Sequence, residues 1–270
     1  MNQEPEASSR QPIKPRLLPG QTVMFLGDHT SPDKPGYVRV VGEVLSRFWP
    51  ELRPNLSSAG SPGQTAAGLA SRQLLDLITS SRPDWLSISL GLSDAQREPA
   101  LIGLMHEYRA WLAQADTDLE TAIGPEYRVS KSYFGAPQDS GTPVRQPVEW
   151  QRLPIVRDKI KEALDALRSA GVQPLLHSTI AVGNDLSYPL NGALKAYSRA
   201  IREICEQEMV PLVEDERAFR DVLDRATTYK QRVALASEQG EVNAQGEALL
   251  ARTFLHTFGL LPQPGQRPLR

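Results

Sequence analysis

The chain has 270 residues, enough for one large α/β domain or two small ones. Its 30 Lys and Arg nearly balance 32 Asp and Glu. A net charge of −2 excludes bulk attraction to nucleic acid or to an anionic membrane surface.

No apolar run approaches the ~18 residues of a membrane-spanning helix. The single cysteine, Cys205, has no partner for an internal disulfide and sits in a helical pattern, where it reads as a small buried hydrophobe. Residues 1–19 are polar, carry four prolines and lack the apolar core of a leader peptide. They read as a disordered arm, and the expected location is cytoplasmic. Residues 261–270, with three prolines, read as a flexible tail.

Between the two ends, strand and helix patterns alternate. Residues 21–26 form an apolar first strand that stops at Gly27-Asp28-His29. Residues 36–48 repeat apolar side chains at helical spacing (Tyr37, Val40, Val41, Val44, Leu45). A short strand at 54–58 leads into the Gly-rich turn Gly60-Ser61-Pro62-Gly63. Helix 69–80 follows, then strand 84–90, which ends in Gly91-Leu92-Ser93-Asp94. Helix 155–170 is strongly amphipathic, with Gly171 placed for a left-handed cap. Strand 172–178, helix 190–209, strand 211–213 and helix 248–258 complete the order. Strands separated by helices of this length predict a parallel sheet covered on both faces. The chain therefore reads as one α/β domain over 20–260.

One stretch breaks the rhythm. Residues 95–149 hold a helical segment and then a Gly/Pro/Ser-rich loop with Tyr127, Tyr133 and Phe134. Long loops of this kind are lids, binding loops or linkers. The insertion is read as a lid or as a surface for a protein partner.

In open parallel sheets, ligands bind beyond the carboxyl ends of the strands. The residues expected there are Gly27, Asp28 and His29, then Gly60 and Gly63, then Ser93 and Asp94, then His177. Before the last helix come Glu238, Glu241 and Asn243. Glu214, Asp215 and Glu216 read as a solvated acidic loop. His29, Asp28, Asp94 and His177 lack ligand spacing, so no metal and no other cofactor is expected.

In order and spacing these blocks resemble the SGNH (GDSL-like) hydrolase family, from about Thr22 to Gly259. The resemblance implies a three-layer α/β/α fold with a parallel, flavodoxin-like sheet of about five strands. Gly27-Asp28-His29 stands where the family has Gly-Asp-Ser. The segment from Asn55 to Thr65 is similar to its second block, whose glycine, here Gly63, lines the oxyanion hole. Arg82-Pro83-Asp84 and Gly91-Leu92-Ser93-Asp94 look like its third block, with Ser93 at the oxyanion asparagine. The segment from Glu238 to Ala251 looks like the last block, with Glu238 and Glu241 at the Asp and His positions.

The family mechanism needs a serine hydroxyl, a histidine base and an orienting carboxylate. His29, Glu238 and Glu241 replace all three. The expected function is a degenerate SGNH site, a pseudoenzyme that binds a small or acylated ligand, or a partner, through Gly27, Asp28, Asp94 and His177. The alternative is an active ester or acyl hydrolase rebuilt around His29 with an acidic partner, since an imidazole works as a base near neutral pH. Ser31 and Ser61 are weighed as displaced nucleophiles and read as ordinary loop serines.

Overall fold

The computed structural model describes residues 15–27, 36–66, 68–69, 71–123, 148–225 and 234–261. Five parallel strands form one sheet in the order β2-β1-β3-β4-β5. They are β1 (Thr22–Gly27), β2 (Asn55–Ser58), β3 (Trp85–Ser89), β4 (Gln173–His177) and β5 (Leu212–Val213). The helices are α1 (Gly36–Phe48), α2 (Ser71–Ser81), α3 (Leu92–Ala95), α4 (Ala100–Ile123), α5 (Leu153–Ser169), α6 (Pro189–Glu208), α7 (Asp215–Asp224) and α8 (Ala244–Thr257). This is a three-layer α/β/α fold, as the alternation of patterns predicts.

β3 lies at the centre of the sheet and is buried along its whole length. A central parallel strand covered on both faces needs a continuous apolar run, and Trp85-Leu86-Ser87-Ile88-Ser89 supplies one with two small polar exceptions. The chain runs from β1 out to the edge strand β2 and then crosses back over β1 to β3. That reversal opens the crevice between β1 and β3 where such sheets place their sites. α1 packs on α8, and α8 on α7; α5 packs between α2 and α6. α1 turns Tyr37, Val38, Val41 and Leu45 inward, the stripe read from the sequence.

Several boundaries differ from those read in the sequence. Leu17 is buried in the core, so packed chain begins before residue 20. The arm 1–14, most of the loop in the 95–149 insertion (124–147) and the tail from 262 lie outside the described residues. The acidic run 214–216 is not a solvated loop. Asp215 and Glu216 are buried and open α7, an element absent from the sequence reading. Negative charge is favoured in a first helical turn, and Arg202 and Arg220 both engage Glu216.

Candidate functional site

Among the described residues two loops meet at the carboxyl ends of the strands, held together at α3. Asp94 is fully buried there, and its Oδ2 accepts the Ala66 backbone N–H at 2.7 Å. Arg97 donates to the Gly63 carbonyl at 3.3 Å. The Gly-rich turn is thus tied to α3 by two side chains that follow the third strand. Gly63 is exposed with φ +78, a conformation that strains residues with a Cβ.

The loop before α8 docks on the other side of α3. Gln96 donates to the Gln239 carbonyl at 2.8 Å. Gly240 (φ +88) lies so close to Leu92 that an added Cβ would sit 2.3 Å from its Cδ2. The loop closes on itself through an antiparallel bridge between Ala236 and Val242. Asn243 then caps α8, its Oδ1 accepting the N–H groups of Gln245 and Gly246, both at 3.0 Å.

α3 is itself anchored from behind. Glu98, 2% exposed, accepts the Tyr197 hydroxyl at 2.6 Å and the Arg152 N–H at 3.0 Å. Burial, and then the bond to Glu98, push the Tyr197 phenol far above its ordinary pKa, so it stays a neutral donor. Arg152 also approaches Asp94, at 3.7 Å. Arg97, Glu98 and Arg152 were missed in the sequence; they fall in and around the insertion, where periodicity gives no sign that a polar residue is buried, while Tyr197 lies on α6.

The residues expected at the site are placed as follows. Gly27 ends β1, and a Cβ there would lie 2.3 Å from the Ser89 carbonyl oxygen, so the close strand approach requires glycine. Asp28 and His29 lie outside the described residues. Ser93 is buried within α3, next to Asp94. Glu238 and Glu241 are exposed on the loop that docks against α3. α3 therefore brings the Gly63, Ser93 and Glu238–Glu241 segments to one place.

His177 sits deeper, at 1% exposure, and both ring nitrogens are engaged within the protein. Nδ1 meets Asp215 Oδ2 at 2.6 Å, and Nε2 meets the Ser87 hydroxyl at 2.7 Å. Thr253 of α8 donates to the other oxygen of Asp215. Phe254 stacks on the imidazole, and Tyr37 tilts against it. The chain Ser87–His177–Asp215–Thr253 joins β3, β4, α7 and α8 through the core. Among the described residues, no group of three or more His, Cys, Asp or Glu side chains is arranged to hold a metal ion. Nor is any described helix long and apolar enough to cross a membrane.

A parallel sheet covered on both faces, with its strand-end loops meeting at one short helix, is a three-layer α/β/α fold. No family model matches the chain. The chain is similar to an acetylxylan esterase of Geobacillus stearothermophilus, 25% identical over 224 residues that cover 83% of this chain and 81% of that one. A solved structure of Axe2, an acetylxylan esterase from the same organism, superposes with a TM-score of 0.62 at 21% identity, over 90% of this chain and 96% of that one. LAE5, an alpha/beta hydrolase from the metagenome of Lake Arreo, Spain, superposes with a TM-score of 0.62 at 18% identity, over 91% and 98%. These likenesses support the resemblance to the SGNH (GDSL-like) hydrolases read from the sequence. Solved variants described as catalytic mutants of Axe2 replace a serine, an aspartate and a histidine three positions after that aspartate.

Proposed function

We propose that this protein uses the SGNH frame to bind a small acylated ligand at the strand ends and does not run the serine-esterase cycle. The observation that carries the reading is the loop before α8. Its backbone is docked on α3, yet the positions matching the Asp-x-x-His pair hold exposed Glu238 and Glu241. In the serine route an imidazole takes the hydroxyl proton and a carboxylate holds that imidazole in place. A solvated carboxylate in place of the imidazole is a far weaker base at neutral pH. At the nucleophile position His29 offers no hydroxyl to activate. Gly63 and Ser93 remain beside α3 as groups that polarise or hold a carbonyl.

A second reading is favoured by the sequence likeness to an acetylxylan esterase. In it, His29 acts as the central base or nucleophile, oriented by Glu238 or Glu241, and an ester or acyl bond is cleaved.

Hydrolysis of p-nitrophenyl acetate separates the two. The wild type and His29→Ser are expected at the buffer rate, because serine alone lacks a base. The combined variant His29→Ser, Glu238→Asp, Glu241→His is expected to gain turnover. Robust wild-type turnover abolished by His29→Ala would overturn the binding reading and establish the second.

A further inference from the structure

Beside the docked loop, between α4 and the start of α6, lies an open cleft of about 380 Å³. Its floor is apolar: Ile102 and Met105 on α4 and Leu190 on α6. Ile102 is 70% exposed. The rim carries opposite charges. Arg109 stands on α4, one turn beyond Met105, and Glu238 stands on the loop before α8. Tyr188 also lines the cleft.

Arg109, Tyr188 and Glu238 line the same cleft. Among the described residues, neither Arg109 nor Glu238 closes an ion pair. Both nevertheless act on the Tyr188 phenol. Burial and Glu238 raise its pKa, and Arg109 opposes them. A ligand with a single charge would satisfy one rim group and face repulsion from the other. A ligand with both charges on one carbon and an apolar branch would satisfy the rim and cover Ile102.

We infer that this cleft binds a zwitterionic ligand with an apolar side chain, of the apolar α-amino acid class. The carboxylate lies at Arg109, the ammonium at Glu238, and the side chain on Ile102, Met105 and Leu190. The cleft lies beside the strand-end site, and the inference goes beyond the binding reading of that site to a second ligand. Charge-assisted hydrogen bonds are the strong ones in such recognition, and each removes about tenfold or more in affinity when lost.

The test is calorimetric titration of the full chain with L-leucine, 4-methylpentanoate (no ammonium) and isopentylamine (no carboxylate). Saturable binding of leucine is expected, with both analogues weaker by about tenfold or more. Arg109→Met is expected to bind leucine and isopentylamine equally, and Glu238→Gln to bind leucine and 4-methylpentanoate equally. Both positions are exposed, and circular dichroism checks that the variants stay folded. Failure of leucine to bind overturns the inference, as does equal binding of all three ligands or an unchanged preference in Arg109→Met. These outcomes leave the binding reading standing if wild-type ester turnover is also absent, whereas turnover overturns that reading whatever leucine does.

Discussion

His177 carries more structural weight than any other polar residue described. Its ring is buried, bridges two elements by hydrogen bonds and is stacked by a third. Removing one partner of a buried pair leaves the other unsatisfied, at about 3–5 kcal/mol. His177→Ala is therefore expected to lower unfolding stability by about 3–5 kcal/mol in urea denaturation. Ser87→Ala removes only a neutral bond and is expected to cost about 1 kcal/mol. Glu216 gives a pH prediction. Burial raises its pKa, but hydrogen bonds from Arg202 and Arg220 outweigh burial, and the net shift is downward. A carboxylate whose folded pKa is depressed contributes stability above its unfolded pKa and loses it as pH falls through the folded one. Glu216→Gln is thus expected to be less stable than wild type at neutral pH. The gap narrows below the ordinary carboxylate range, as thermal melts between pH 7 and pH 3 would record.

At the scale of elements, α3 and the loop before α8 form one unit. Gly240→Ala places a Cβ against Leu92 in a strained backbone conformation. It is expected to destabilise by about 1–3 kcal/mol and to loosen the loop, measured by amide hydrogen exchange across 236–243. Asn243→Ala removes the cap of α8 at a cost of about 1 kcal/mol, read by the same denaturation curves. Much of this was legible in the sequence. The helix 36–48 matches α1 because its apolar stripe is regular and wide. β3 reads clearly because a covered central strand is apolar along its length, here with only two small serines. α7 was missed because its opening acids look solvated, and only the partners Arg202, Arg220 and His177 explain their burial. The roles of Gln96, Arg97 and Glu98 were likewise hidden, since each acts on chain distant in sequence.

At the scale of the molecule, the strand order places the crevice between β1 and β3, and the sequence blocks fall around it in the expected order. Gly27 and Gly63 were singled out by the family-like blocks they sit in, and the structure adds why glycine suits them: close approach at Gly27 and a positive φ at Gly63. The cleft along α4 was not, because it depends on how the insertion's helix lies against α6. The three clamps on the strand-end loops share one property. Asp94 takes the main-chain N–H of Ala66, Arg97 takes the main-chain oxygen of Gly63, and Gln96 takes that of Gln239. The loops are gripped by their backbone, so the reacting side chains they carry can be exchanged without disturbing the grip. A scaffold built this way lets a lineage pass from cutting a ligand to holding it by point substitution alone, and the same route is open in reverse.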